Sequence, residues 1–203
     1  MKLIRHMSRN IDLPTRTGVL KVVATSGQNE PLLWVPGFLG TMNGAKIEYL
    51  QNINEQLFNR PLWKFDYSNI GMSTGDFTFE NWVKDAETVL HQAFKYEQRQ
   101  VILVASSMGA FISVHIAQRN PELVKAMYLC APAKDLFKDR FHEISSIPGD
   151  IVPIPGSYEH SSNKEGIPKQ FFESIPQFWF DQIQPECPVH ILHPELDEIW
   201  YVH

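Results

Sequence analysis

Ser107 is the residue around which chemistry could be built. In Ala105-Ser106-Ser107-Met108-Gly109 a small residue stands two places before it and another two places after, which is the Gly-x-Ser-x-Gly spacing with alanine in the first small position. The spacing answers a steric need. Where a strand reverses sharply into a helix, the central residue is held in a strained backbone conformation, and side chains two places to either side would collide. A serine so held projects its hydroxyl from the strand end, above a helix N-terminus whose unpaired N–H groups and positive dipole end favour negative charge. The chemistry is nucleophilic acyl transfer: the hydroxyl attacks a carbonyl, and the Met108 N–H is one donor to the oxyanion. The same five residues also read as a serine pair capping a buried helix, and alone they do not separate the two readings.

Other residues acquire meaning from Ser107. Upstream, Gly37-Phe38-Leu39-Gly40-Thr41-Met42-Asn43-Gly44 follows an apolar strand. Its glycines allow backbone N–H groups to approach a ligand, and Phe38 N–H is the candidate second oxyanion donor. Without an elbow downstream the loop would be an ordinary strand-to-helix turn. Asp197 lies just past the last apolar strand, where a carboxylate can orient an imidazole. Most loop carboxylates are solvated, so its standing comes from its order after Ser107. A base is harder to find. His203 follows Asp197 too closely to reach across to Ser107 easily, His193 is expected inside a strand, His115 packed in the elbow helix, and His160 solvated.

The elements that would hold these residues alternate. Residues 101–105 are an apolar run of strand length, and beyond them Met108, Phe111, Ile112 and Ile116 recur at helical spacing. Runs at 19–25, 32–35, 62–65, 126–131 and 189–192 read as further strands. Between them, 44–58 carries a helical stripe of Ala45, Tyr49, Leu50, Ile53 and Leu57, closed by Asn59 and Pro61. Asp66, Gly71, Ser73 and Gly75 make a turn-dense loop, and Thr78 stands as N-cap to a longer helix with an apolar face from Trp82 to Phe94. Such alternation implies a mostly parallel sheet with helices on both faces and ligands outside the strands' carboxyl ends, the side on which Ser107 and Phe38 both fall. It stops at about 132–186, which holds seven of the 14 prolines and two short helical candidates, about 134–145 and 168–181. An inserted cap is expected there. Its aromatic residues Phe171, Phe172, Phe178, Trp179 and Phe180 are expected mostly to pack the cap on the body, with a subset lining an acyl groove.

Composition bounds the remaining possibilities. At 203 residues the chain is expected to form a single domain, 1–203, large enough for one core. With 43% hydrophobic and 20% charged residues it reads as globular, and its apolar runs are too short for a membrane span. A net charge of -5 leaves no basic stripe for nucleic acid. Cys130 and Cys187 have neither zinc spacing nor a disulfide framework, which fits a reducing compartment. No metal or organic cofactor is expected, since none of the eight histidines pairs at ligand spacing with Cys or Asp. The first ten residues carry Lys2, Arg5 and Arg9 and no acid, a faintly presequence-like start without a secretory signal.

Elbow, glycine-rich loop, the Asp66–Ser73 turn and an acid after the penultimate strand together resemble the α/β-hydrolase fold. More closely, GFLGTMNG, FDYSNIGMSTG, NWVKDAETVL, ASSMGA and ILHPELDEI are similar to the mitochondrial alpha/beta hydrolase domain-containing protein 10 family. The resemblance covers roughly 30–203 and is strongest over 35–132 and 188–199. It implies a palmitoyl-protein thioesterase that also cleaves acyl glucuronides such as that of mycophenolic acid, with Ser107 as nucleophile and Asp197 as triad acid. Its substrate would be an acylated protein or a small-molecule ester, and its compartment the mitochondrion, with the cytoplasm as the alternative.

Two departures stand out. Ala105 replaces the family's first glycine. In this fold the triad histidine follows the acid by one further strand, whereas the sequence ends six residues after Asp197. A truncated form is therefore expected, without the last strand, last helix and catalytic histidine. The strand at 189–192 would be an open sheet edge, and the chain weakly active or inactive. A non-catalytic acyl-binding pseudo-hydrolase and a carboxylesterase of other specificity are the alternatives.

Overall fold

A seven-stranded sheet carries the elbow near its middle. The computed structural model describes residues 7–133, 137–153, 166–179 and 184–195. In chain order the elements are β1 (Ser8–Pro14), β2 (Val19–Thr25), β3 (Leu32–Val35), α1 (Ala45–Ile53), β4 (Leu62–Phe65), α2 (Phe79–Glu97), β5 (Val101–Ser106), α3 (Met108–Arg119), β6 (Val124–Cys130), α4 (Phe141–Ser146), β7 (Ile151–Val152), β8 (Ile167–Pro168), α5 (Lys169–Glu173) and β9 (Val189–Leu192). The sheet order is β1-β2-β4-β3-β5-β6-β9. β1 and β2 run antiparallel at one edge, and β4, β3, β5, β6 and β9 are parallel.

The central strands are apolar on both faces because helices cover both. All four residues of β3 are buried, as expected for a parallel strand sandwiched between helical layers. On one face α2 and α3 bury Trp82, Val83, Val89, Leu90 and Ile112 against Leu33, Val35 and Leu103. On the other, Ile47 of α1 packs with Leu32, Trp34, Leu62 and Ile102. The expected N-cap forms: the Thr78 side chain accepts the Asn81 N–H at 3.2 Å, and Gln98 closes α2 in the left-handed conformation.

Several elements differ from expectation, each for a local reason. β1 takes in residues that read as presequence-like; it pairs with β2 along its whole length and lays Ile11 and Leu13, half-buried, on the core, but with Arg9 at the third inward position its apolar alternation is only two residues long. The stripe at 44–58 divides into α1 and a π-turn, Asn54–Phe58, closed by Asn59 at φ 48°. Between β6 and β9 the chain leaves the sheet. The helix expected over 168–181 is broken into α5 and a short 3-10 turn, Pro176–Phe178, because Pro176 lacks the N–H that an uninterrupted helix needs and crowds the turn before it. The helix expected from 134 starts only at Phe141; positions 134–136 lie outside the described residues, as does Phe180. Phe171 is fully buried, with its ring 4.8 Å from Trp82 and 5.2 Å from Phe77, so it anchors this segment on α2 rather than lining a groove.

Among the described residues β9 pairs only with β6 and forms the sheet edge, with Ile191 63% and Leu192 72% exposed. No helix among the described residues is long and apolar enough to cross a membrane, and Cys130 and Cys187 are not joined.

Candidate active site

Ser107 connects β5 directly to α3, and its backbone is strained, at φ 53° and ψ -121°. The strain is held from both sides. Its N–H still reaches across to the Cys130 carbonyl at 3.0 Å, while its own carbonyl accepts the Ala110 N–H at 2.9 Å as the first bond of the following turn. Although Ser107 occupies the N-cap position, its side chain makes no capping hydrogen bond to α3. The hydroxyl is therefore not used to finish the helix. Gly109 explains the second small position: a Cβ there would sit 2.2 Å from the Val35 carbonyl oxygen and 2.5 Å from that of Pro36. Ala105 is fully buried.

The glycine-rich loop lies against this turn. A Cβ on Gly37 would meet the Ser106 carbonyl oxygen at 3.1 Å and the Ser107 Cβ at 3.4 Å, so the start of the loop touches the elbow itself. Gly40 N–H donates to the Gly37 carbonyl at 3.0 Å, with Leu39 between them at φ 55°. The loop thus turns tightly beside Phe38, whose ring packs on Trp82, Phe137 and Phe171. Met108 begins α3, so its N–H belongs to the first turn that has no intrahelical acceptor.

The loop after β4 clamps the glycine-rich loop. The Tyr67 hydroxyl donates to the Pro36 carbonyl at 3.0 Å, and the Met42 N–H donates to Asp66 Oδ1 at 2.7 Å. Burial raises the Asp66 carboxyl above its ordinary range, and the N–H donors of Met42 and Met72 act against that rise. A third hold comes from α1, where Lys46 Nζ donates to Ser106 Oγ at 2.8 Å. Sequence reasoning missed Tyr67 and Lys46 as site residues. It saw Asp66 only as part of a turn-dense loop at a strand's carboxyl end, which was the available signal.

Asp197, His203 and His160 lie outside the described residues. His193 is just past β9 rather than inside it, which corrects its expected place. His115 is packed as expected, its ring edge-on to Phe111 and Phe178.

Two buried groups titrate in opposite senses. Burial holds the His115 imidazole down to about 4, against a hydrogen bond with the Phe178 backbone and with Arg119 adding repulsion. Burial pushes the Asp85 carboxyl up to about 6, opposed by hydrogen bonds from Ser68. As pH falls from 6.5 to 4 the unfolded chain protonates its histidine before the folded one, and stability is lost. Over nearly the same window folded Asp85 takes its proton first, and stability is gained; each effect is at most about 3 kcal/mol. We expect urea midpoints at pH 7 and pH 4 to show Asp85→Asn losing stability on acidification and His115→Gln gaining it, relative to the parent chain. Slopes of the same sign in the two variants would refute the opposition.

Residues 63–152 match the family model described as serine aminopeptidase, S33. The chain is 31% identical over 183 residues to mitochondrial palmitoyl-protein thioesterase ABHD10 of Rattus norvegicus, covering 85% of this chain and 60% of that protein. It is 27% identical to the Homo sapiens protein of the same name, over 85% and 58%. The chain therefore spans less than two thirds of the length of these curated relatives. The solved structure of alpha/beta hydrolase domain-containing protein 10 from mouse superposes with a TM-score of 0.79 at 29% identity, over 94% of this chain and 79% of that one. Est1E of Butyrivibrio proteoclasticus, solved with ferulic acid, gives 0.74 at 16% identity over 93% and 80%, a likeness of fold alone.

Proposed function

We propose that this chain, which has the α/β-hydrolase fold and is similar to the ABHD10 proteins, cleaves acyl thioesters or esters through an acyl-enzyme on Ser107. The observation that supports this is a strained serine whose hydroxyl caps nothing and whose Cβ lies against a glycine-rich loop. In the first step the Ser107 oxygen bonds to the acyl carbonyl carbon and its proton passes to a base. The N–H groups of Phe38 and Met108 meet the charge that develops on the carbonyl oxygen. Collapse of this intermediate expels the thiol or alcohol, which takes the proton. Water then repeats the sequence on the serine ester and releases the carboxylic acid. Asp197 is the proposed carboxylate that orients the base.

A protein bearing a palmitoyl thioester is the proposed substrate, following the name of the relatives, with acyl glucuronides as the second class and the mitochondrion as the compartment. We read 132–186 as a cap within a single domain. Its ring of Phe137, with Phe38 below, offers an apolar wall for an acyl chain. No cofactor is required by these steps.

The alternative reading is acyl binding without turnover. A site with an oxyanion hole but no base retains only ~10³ to 10⁴-fold acceleration over water. A fluorophosphonate probe followed by peptide mapping distinguishes them. Covalent labelling of Ser107 together with palmitoyl-thioester hydrolysis would establish the enzyme and the presence of a base. Saturable palmitate binding with no labelling would establish the binding protein instead.

A further inference from the structure

We propose that Lys46 is a positioning residue of this site, locking the glycine-rich loop onto the elbow through Ser106. The proposal deepens the hydrolase reading and rests on it. Lys46 lies in the first turn of α1, directly after the loop that contains Phe38, and its ammonium bonds at 2.8 Å to a hydroxyl 60 residues further along the chain. That hydroxyl belongs to Ser106, which is 3% exposed and immediately precedes the nucleophile.

The start of α1 has no side-chain cap, although Glu48 in its first turn suits the helix dipole. Its N-cap is Gly44, which has no side chain to cap with, and a Cβ built there would meet nothing within 4 Å. A cation in a first helical turn is also opposed by the helix dipole, which favours anions there. Lys46 is exposed, yet its ammonium turns inward to the buried Ser106 hydroxyl, and that bond rather than the dipole accounts for its orientation. The loop is then tied to one residue at both ends. Gly37 lies against the Ser106 carbonyl at the start, and Lys46 holds the Ser106 side chain at the finish, with Asp66 gripping Met42 between. Phe38 is inside that closed segment, so the distance from its N–H to the acyl oxygen depends on the Lys46 bond.

Loss of the ammonium also leaves a buried hydroxyl without its donor, which loosens the loop rather than the fold. Misplacement of a catalytic donor by about 1 Å costs on the order of a hundredfold in rate. The test uses the intact chain with Lys46→Met, Lys46→Arg, Ser106→Ala and the Lys46→Met/Ser106→Ala pair. Lys46→Met is expected to slow fluorophosphonate labelling of Ser107 by about tenfold or more and to speed hydrogen exchange of amides 37–44. Lys46→Arg should restore most of both. The double variant should be no worse than either single one, because all three remove the same bond. Wild-type labelling with unchanged rates and exchange in Lys46→Met would overturn the proposal and leave the hydrolase reading standing. A wild-type chain that never labels would overturn the hydrolase reading and with it the catalytic role, while the exchange data still report whether Lys46 anchors the loop.

Discussion

Gly109→Val is expected to lower stability by about 3 kcal/mol or more and to disorder the elbow, because the new side chain has no free direction in which to go. The Cβ would sit 2.2 Å from one backbone carbonyl oxygen of β3 and 2.5 Å from the next. Neither obstacle is the tip of a flexible side chain. To make room, α3 must retreat from β3 by about 1 Å to reach ordinary van der Waals separation, and it cannot do so alone. Met108, Phe111 and Ile112 on that helix are buried in the main core, and β3 and β5 are joined in register from Leu32↔Ile102 to Val35↔Ala105. Urea unfolding followed by tryptophan fluorescence would measure the loss. Gly109→Ala meets the same oxygen atoms, so it should be nearly as damaging, whereas Gly44→Ala, facing open space, should not. Equal midpoints for Gly109→Ala and Gly44→Ala would mean that close approach does not dictate the second small position of the motif.

How far the site could be read from sequence follows from how local each requirement is. The elbow is local: a strand-length apolar run, small residues at 105 and 109, and a helical stripe beginning at Met108 all lie within one short stretch. The glycine-rich loop is likewise signalled by its own composition. Lys46, Tyr67 and Asp66 act across long separations, on Ser106, Pro36 and Met42, and no periodicity or spacing reports such contacts. β1 is hard to see for a different reason: its alternation holds only two apolar residues, Ile11 and Leu13, with Arg9 at the third half-buried position, while much of its order comes from the ladder to β2. Pro176 did carry a signal, since a proline inside an aromatic helical stripe argues for a break. The density of Phe171, Phe172, Phe178 and Trp179 outweighed it, because aromatic spacing suits an amphipathic helix whether or not the backbone is continuous.

Ser107→Gly is expected to abolish acylation while raising stability by about 1 kcal/mol, a gain of roughly 2–4 °C in melting temperature for a chain of this size. The two effects have separate causes. Removing the hydroxyl removes the proposed nucleophile, and where residues of a triad act as a unit the loss of one costs as much as about 10⁶ in kcat. The gain comes from the backbone. At φ 53° and ψ -121° Ser107 occupies a conformation that crowds its Cβ, at a cost of about 1–3 kcal/mol, and glycine escapes that crowding. Part of the relief is offset because glycine has more freedom to lose on folding, about 0.5–1 kcal/mol. Ser107→Ala supplies the contrast: it loses the hydroxyl but keeps the Cβ, so it should be as inert as Ser107→Gly without being more stable than the parent chain. Thermal melts of the three proteins, run beside fluorophosphonate labelling, separate chemistry from strain. If Ser107→Gly melts no higher than Ser107→Ala, the elbow stores no strain at this residue. If it melts higher, the fold is holding a side chain where its own backbone preferences oppose one, a sacrifice of stability that presenting a hydroxyl to a substrate would explain.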